Sequence, residues 1–407
     1  MVYKPKPFGK IGLKFYSFEV KEMKKTLLKI FAVCLCLCMV IPAFASCAKK
    51  NDKFVIGVSG PLTGAASVYG VAVKNSAQMA VDEINAAGGL NGVLFELIAT
   101  DDQHDATKVA ANYNNMMEQG MHVALGCVTT APCLEFKKLS KEDNVFFLTP
   151  SASGDAVPEF DNAYQMCFAD GNQGSVAANY VNSLNLTEVG IFYKSDDPYS
   201  DGIYKQFKEN LAEGITTVEA SFTGDAADFT TQINSLKDCS FIFMPIYYTP
   251  ASQFMRQAKG IVADDATYYG CDGFDGLEGA FTEEAPISTI PQEIIMLSHF
   301  NSKATDGKAG DFVKKYTEKF GADTLNQFGA SAYDCVYAIF GAMKAAADAG
   351  EDIDVNMSAS DLCEILKKQF NGGYSLENGA TGQNITWESN GYVKKGAIAY
   401  PIKAKNA

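Results

Sequence analysis

The sequence is poor in histidine and in closely spaced cysteines, and both shortages limit its chemistry. Its 407 residues include three His and eleven Cys. No C-x-x-C spacing occurs among the seven Cys that follow Cys47. This pattern disfavours a zinc site, and we expect neither a metal nor a cofactor. Cys127 and Cys133 could form a disulfide, or they are buried free thiols.

Positive charge is also scarce. The chain has 34 Lys and Arg against 48 Asp and Glu, a formal net charge of −14. Residues 1–46 carry eight Lys and two Glu, so without them the formal net charge becomes −20. An acidic surface of this kind argues against nucleic acid and against anionic membrane surfaces as partners.

Long apolar runs are absent except near the N-terminus. Three Lys within residues 24–29 precede a twelve-residue apolar run at 30–41, which is too short to span a bilayer. Small residues then lead to Cys47, an arrangement that resembles a bacterial lipoprotein signal with Cys47 as the lipidation site. Cleavage after Ala45 is the alternative. We therefore predict an extracytoplasmic protein, either a cell-surface lipoprotein or a free periplasmic one, with 1–46 as signal and upstream extension.

The rest of the chain alternates between strand-like and helix-like segments. The run "KFVIGVSG" predicts a strand, and "SVYGVAVKNSAQMAVDEINAAGG" has helical spacing that ends at Gly88 and Gly89. Such βα units repeat along the chain, and the segment "FADGNQGS" separates a first set of them from a second set. This pattern predicts an α/β fold of two doubly wound lobes around a central cleft. Near the C-terminus, Asn390 and Gly391 predict a hairpin turn.

Hydroxyl side chains follow two of the predicted strands of the first half. Ser151 and Ser153 come after "VFFLTP", and Thr130 comes after "VALGCV" with Pro132 two residues later. Thr130 is therefore predicted to cap a helix N-terminus, where free N–H groups favour an anion. Hydroxyls and amides of this kind suit a carboxylate. Helix capping alone is the alternative explanation.

The second half offers a complementary acid and several aromatic residues. Asp272 stands in the Gly-flanked turn "GCDGFDG", where a carboxylate could face an ammonium group or simply stabilise the turn. Three tyrosines follow other predicted strands: Tyr69, Tyr199 and Tyr248. Phe328 precedes a predicted helix, and core packing is the alternative explanation for it.

The order of several short segments along the chain resembles that of a known protein family. The segments "GVSGPLTGAASVYG", "AVDEINAAGGLNG", "TPSASGD", "DPYSDG", "FGASAYD" and "ITWESNGY" occur in the order seen in branched-chain amino-acid binding proteins, the extracytoplasmic receptors of ABC importers. The resemblance covers nearly all of residues 52–403. It implies two lobes joined by three crossovers. Lobe 1 would comprise 52–169 with about 299–385, and lobe 2 would comprise 170–298 with about 386–404.

The resemblance also implies roles for the candidate residues. Thr130 and Ser153 would hold a ligand α-carboxylate, and the carbonyl oxygen of Ser151 would accept from the ammonium. Asp272 would pair with that ammonium. The aromatic residues would line the cleft and contact the ligand side chain: Tyr69, Tyr199, Tyr248 and Phe328.

Three departures from the family pattern are visible. Asp272 is shorter than the Glu usual at its position. His104 and Thr129 stand where some members have Cys, and "YQMCFADGNQG" lacks the Arg that many members carry near the first crossover.

The resulting expectation is a monomeric receptor that binds an α-amino acid, branched-chain or otherwise hydrophobic, by cleft closure and delivers it to a membrane permease. No G-x-G-x-x-G, P-loop or G-x-S-x-G motif occurs at a strand–helix junction, so we do not expect an enzyme. An amide, a urea-like compound or another small hydrophobic acid is the alternative ligand. The protein could also be the ligand-binding partner of a separate sensor.

Overall fold

The computed structural model describes residues 52–404. The signal segment and Cys47 lie outside this range, so the lipidation of Cys47 stays a prediction. The first sheet has five parallel strands in the order β2-β1-β3-β4-β5. They are β1 Phe54–Gly60, β2 Phe95–Asp101, β3 Val123–Cys127, β4 Phe147–Thr149 and β5 Ala163–Gln165.

The second sheet has six strands in the order β13-β10-β9-β8-β6-β7. Its neighbours are parallel except for β13, which runs antiparallel to β10. The strands are β6 Glu188–Lys194, β7 Thr216–Phe222, β8 Phe241–Met244, β9 Thr267–Gly270, β10 Glu293–Ser298 and β13 Ile398–Lys403. A separate hairpin pairs β11 Leu376–Asn378 with β12 Gln383–Ile385.

Each sheet with the helices packed on it forms one lobe. The first lobe contains α1 Ser67–Ala86, α2 Val109–Glu118, α3 Thr130–Glu142, α8 Gly307–Phe320, α9 Gln327–Asp348 and α10 Ala359–Asn371. The second lobe contains α4 Asp170–Asn182, α5 Pro198–Asn210, α6 Thr230–Leu236 and α7 Tyr248–Ala258. The predicted two-lobed α/β fold is therefore confirmed.

Both faces of the first sheet are covered, because alternate residues of a strand point to opposite sides. In β3, Val123 and Leu125 pack in the core cluster that includes helices α1 and α9. Ala124 packs in a second cluster with residues of α2 and α3, and Cys127 joins it because an irregularity at Gly126, with a φ of +63°, reverses the alternation. Burial on both sides explains why the central strands are continuous apolar runs rather than alternating ones.

The chain crosses between the two lobes three times, at 166–169, 299–306 and 386–397. The exact lobe limits given from the sequence stay a prediction. The third crossing contains the predicted turn, where Gly391 has a φ of +85° and its N–H donates to the carbonyl of Glu388 at 3.0 Å. The crossings place the carboxyl ends of the strands of both sheets around one cleft, where ligands of open α/β sheets bind.

Two local expectations about helix ends and thiols can be compared with the structure. Helix α1 ends as predicted, because Gly88 and Gly89 have φ values of +101° and +67° that suit glycine. The seven Cys within the described residues are free and buried, so Cys127 and Cys133 are thiols.

Some elements were not anticipated from the sequence: β5, β10, α8 and α10. Helix α8 could have been predicted, since the four-residue spacing of Phe312, Tyr316 and Phe320 is typical of one face of a helix.

Candidate functional site

One narrow cavity lies between the carboxyl ends of the two sheets. Seven of the eight residues predicted from the sequence line it: Tyr69, Thr130, Ser151, Ser153, Tyr199, Asp272 and Phe328. Val128, Thr129 and Tyr247 complete the wall. The structure therefore brings these residues together from distant parts of the chain, whereas the roles assigned to them stay predictions.

The edge contributed by the first lobe consists of hydroxyl groups and backbone amides. Helix α3 begins at Thr130, so the N-cap is Thr129 and not Thr130 as predicted from the sequence. The Thr129 hydroxyl makes no capping bond, and it lies 2.8 Å from Nδ1 of His104. A hydrogen bond thus joins His104 and Thr129, two positions at which the sequence departs from the family that it resembles.

The serine loop after β4 is held in place by neighbouring hydroxyls. The backbone N–H of Gly154 donates to Thr130 Oγ1 at 3.2 Å, and that of Ala152 donates to Thr149 Oγ1 at 3.1 Å. Ser151 and Ser153 lie on this loop, and both are buried. Because the loop is fixed before any ligand arrives, its hydroxyls and amides form a preorganised surface for an anionic group.

The edge contributed by the second lobe carries a buried acid. Asp272 begins a short 3₁₀ turn after β9 and is 1% exposed. Its Oδ1 accepts a 2.7 Å hydrogen bond from the Tyr199 hydroxyl. Within the described residues, its Oδ2 has no hydrogen-bond partner. Burial raises the pKa of Asp272 from 3.8 to about 6, and hydrogen bonding by its neighbours, Tyr199 first, opposes that shift only in part.

A second acid, Asp170, lies beside the first and was not identified from the sequence. It is the first residue of α4, is 1% exposed, and also has one oxygen, Oδ2, without a partner among residues 52–404. Gln173 links the two acids, since its Nε2 donates to Asp170 Oδ1 at 3.3 Å and its Oε1 accepts from the Asp272 N–H at 2.9 Å. Burial and the neighbouring Asp272 raise the pKa of Asp170 well above its usual value.

Glycine is required next to Asp272 for a steric reason. A Cβ atom at Gly273 would lie 2.7 Å from the Tyr199 hydroxyl and 2.8 Å from the carbonyl oxygen of Ile246. Both distances are shorter than van der Waals contact. The glycine therefore lets the turn approach Tyr199 closely enough for Asp272 to accept its hydrogen bond.

The tyrosine at the start of α7 that faces the cavity is Tyr247 rather than Tyr248. Tyr247 stacks on Tyr199 with ring centroids 4.6 Å apart and planes 8° apart. Tyr248 packs edge-on against Tyr69 in the core cluster and is not part of the cavity wall. The reason is local, because Tyr247 has extended backbone angles and neighbouring side chains in extended backbone point to opposite sides.

The two lobes are in contact across the cavity. The Tyr69 hydroxyl donates to the carbonyl oxygen of Gly273 at 2.5 Å, and the Thr249 hydroxyl donates to that of Ala65 at 2.7 Å. The cavity volume is about 10 Å³, close to the minimum that holds one water molecule. A larger molecule can therefore enter only when the lobes separate.

The arrangement suits a small molecule with opposite charges at its two ends. Amides and hydroxyls of the first lobe can hold an anionic group, and the free oxygen of Asp272 can accept from a cationic one. No group of three His, Cys, Asp or Glu within residues 52–404 is placed to bind a metal ion. In the same range, every helix is too short or too polar to cross a bilayer.

Comparisons with known proteins identify the family of the chain. A family model described as periplasmic binding protein matches residues 53–374. The leucine-, isoleucine-, valine-, threonine- and alanine-binding protein of Pseudomonas aeruginosa is 26% identical over 287 residues, which cover 67% of this chain and 74% of that protein. The Leu/Ile/Val-binding protein BraC3 of Rhizobium johnstonii is 33% identical over 245 residues, 58% of this chain and 65% of its own length.

Solved structures are similar over a larger part of the chain. The branched-chain amino acid transporter substrate-binding protein LivJ of Streptococcus pneumoniae, in complex with isoleucine, has a TM-score of 0.72 and 26% identity. The similarity covers 86% of this chain and all of LivJ. The leucine-binding protein LivK of Thermotoga maritima has a TM-score of 0.73 at 22% identity, covering 87% of this chain and 96% of LivK, and supports the fold alone.

Proposed function

The chain belongs to the periplasmic binding protein family, and from this premise we propose that it is the extracytoplasmic receptor of an ABC importer. It binds a branched-chain or other hydrophobic α-amino acid between its lobes and delivers it to a membrane permease. It acts as a monomer and catalyses no reaction. The observation that carries this proposal is the unpaired Oδ2 of buried Asp272, which faces a hydroxyl-lined edge across the cleft.

The charges of an α-amino acid fit the two edges of the cleft. Thr130 and Ser153 would hold the carboxylate, and the Ser151 carbonyl oxygen would accept from the ammonium. The ammonium would also donate to Asp272. A zwitterion is costly to desolvate unless both of its charges are paired, and only a cleft that opens to admit the ligand and then closes around it provides both partners. Ligand binding and closure are therefore thermodynamically linked.

The aromatic walls favour a hydrophobic side chain. Tyr69, Tyr247 and Phe328 provide apolar surface around the space that the amino-acid side chain would enter. The ligands named for the relatives, leucine, isoleucine and valine among them, have side chains of this kind.

The receptor would stay close to its permease through its N-terminus. Acylation of Cys47 would hold it at the outer face of the membrane, whereas cleavage after Ala45 would release it. Mass spectrometry of the purified mature protein distinguishes the two, because only the first product carries a diacylglyceryl group on its N-terminal residue.

Isothermal titration of residues 48–407 tests the proposal, with Leu, Ile, Val, Phe, Ala, propionamide and urea as ligands. The protein is first unfolded and refolded so that co-purified ligand is removed. We expect at least one amino acid to bind with Kd of about 1 μM or below, since a ligand of this size has roughly 1 kcal/mol available per heavy atom. Binding of the amides alone, or of no compound, would refute an amino-acid receptor.

A further inference from the structure

A second and much larger cavity lies next to the candidate site. Its volume is about 630 Å³, within the usual range for small-molecule sites. The first lobe contributes the loop at 103–108, and the second lobe contributes the ends of β6 and β7 and the start of α7. Tyr247 belongs to the walls of both cavities, so the two spaces are adjacent.

The partition between the two cavities is made of residues from opposite lobes. The His104 ring contacts the Tyr247 ring edge-on, with centroids 5.3 Å apart. His104 is held by its 2.8 Å hydrogen bond to Thr129, which lines the small cavity. Because His104 moves with the first lobe and Tyr247 with the second, the separation of the lobes that admits a ligand also joins the two cavities.

The large cavity contains one lysine whose ammonium group has no hydrogen-bond or ion-pair partner among residues 52–404, although the buried carboxyl group of Asp197 attracts its charge. Lys194 is half-buried at the end of β6, and no hydrogen bond or ion pair within residues 52–404 engages its ammonium group. The other lysine in the wall, Lys108, is hydrogen-bonded to the Gln103 side chain. Lys194 is therefore the group in this cavity best placed to bind an anion.

Besides the two lysines, the ionisable side chains of the wall include His104 and two carboxylates, Asp105 and Asp225. His104 is uncharged at neutral pH, since burial and then nearby Lys194 lower its pKa to about 4. The Asp105 carboxylate accepts from the Thr107 N–H at 2.9 Å and from its hydroxyl at 2.7 Å. Asp225 is exposed, so water weakens the effect of its charge, which still opposes that of Lys194 on His104.

We propose that the two cavities together accept a ligand longer than leucine, with its ammonium at Asp272 and a distal carboxylate at Lys194. This inference rests on the proposed function and extends its ligand class. Two kinds of molecule share the chemistry. One is an α-amino acid whose long side chain ends in a carboxylate, and the other is a dipeptide, whose carboxylate lies one residue away from its ammonium.

Titration calorimetry with leucine, L-2-aminoadipate and L-alanyl-L-alanine tests the inference. We expect the wild-type protein to bind leucine and at least one of the two longer ligands. Lys194→Met should weaken binding of the longer ligand at least tenfold and change leucine binding less than twofold. Lys205→Met removes an exposed lysine of the same lobe outside the cavity and should change neither. Which longer ligand binds identifies the source of the carboxylate.

A second variant tests the cavity without altering charge. Ala227 lies on the wall and is exposed, so Ala227→Phe fills part of the space without disturbing the core. It should weaken the longer ligand at least fivefold and leave leucine unchanged. Binding of leucine without either longer ligand, or equal losses for all ligands in both variants, would overturn the inference and leave the proposed function intact. If no amino acid binds, the proposed function fails and the inference fails with it.

Discussion

The two edges of the cleft differ in how well their polar groups are satisfied before a ligand arrives. On the first lobe, the Thr130 hydroxyl accepts from the Gly154 N–H and the Thr129 hydroxyl is hydrogen-bonded to His104. On the second lobe, Asp272 and Asp170 each bury an oxygen without a partner in the described structure. One edge is therefore already organised for binding, and the other carries an unfavourable charge that a cationic ligand group would relieve.

The second-lobe edge supplies the larger share of the expected binding free energy. Satisfied hydroxyls shape and orient the ligand with little change in their own environment. An unpaired buried carboxylate contributes more binding free energy, because pairing with a cation replaces the hydration that the carboxylate lost on burial. We therefore expect substitutions on the second-lobe edge to have the larger effects.

Removal of the Asp272 carboxylate should have the largest effect. Asp272→Ala leaves the ligand ammonium buried with an incomplete set of partners, and we expect affinity to fall by about 2–4 kcal/mol. Calorimetric titration with the best amino-acid ligand measures the change. The control Asp201→Ala removes a more exposed acid of α5, and its affinity should match the wild type. Unchanged affinity in Asp272→Ala would remove this residue from the site.

Loss of one hydroxyl on the first-lobe edge should have a smaller effect. Ser153→Ala removes a hydrogen bond to the charged ligand carboxylate, which is worth about 2 kcal/mol, while the backbone amide remains. The same titration measures it. A loss larger than that of Asp272→Ala would reverse the proposed difference between the two edges.

Acid should weaken binding through the second-lobe edge. The complex requires ionised Asp272, whereas in the free protein its pKa is about 6. Below that value the carboxyl must release a proton before it can accept from the ammonium, so affinity falls as pH falls. Between pH 7.5 and pH 5 we expect a loss of about tenfold, since one pH unit below the pKa costs about 1.4 kcal/mol.

Titrations across that pH range, repeated with Asp272→Asn, identify the group responsible. The residual binding of the variant should lose most of the pH dependence, because its side chain does not titrate. An equally steep dependence in the variant would assign the effect to Asp170 or to another acid.

Substitution of the tyrosine that faces the cavity should have the smallest effect on ligand affinity. Tyr247→Leu removes the ring stacked on Tyr199, and we expect a loss of about 1 kcal/mol in ligand affinity. Tyr248→Leu should leave affinity nearly unchanged and lower thermal stability instead, because Tyr248 packs in the core. Paired calorimetry and thermal unfolding separate the two results, and the opposite pattern would place Tyr248 at the ligand.

Much of the first-lobe edge could be predicted from the sequence. Thr130, Ser151 and Ser153 follow apolar runs, and the carboxyl ends of parallel strands meet at one edge of a sheet. Asp272 could be found for the same reason. The placement of these residues at strand ends is determined by the local sequence, so it could be predicted without the tertiary fold.

The remaining parts depend on information that is not local. Which of the adjacent residues Tyr247 and Tyr248 faces the cavity depends on the residue at which α7 begins. Asp170 was missed because an acid in the first turn of a helix has an ordinary role there, and its proximity to Asp272 arises only when the chain crosses between lobes. The antiparallel placement of β13 beside β10 likewise requires the tertiary fold.

The central claim, that Asp272 is held in an unfavourable charged state until an ammonium pairs with it, has a direct test. The folded-state pKa of about 6 lies above the usual 3.8, so the stability contribution of this group is full below about pH 4 and lost as pH rises through 6. The shift corresponds to about 3 kcal/mol at pH 7.5. Urea denaturation of the ligand-free protein at pH 7.5 should show Asp272→Asn to be more stable than wild type by about 1–3 kcal/mol, although the variant binds amino acids more weakly. A variant that is less stable than wild type, or more stable with unchanged ligand affinity, would contradict the account.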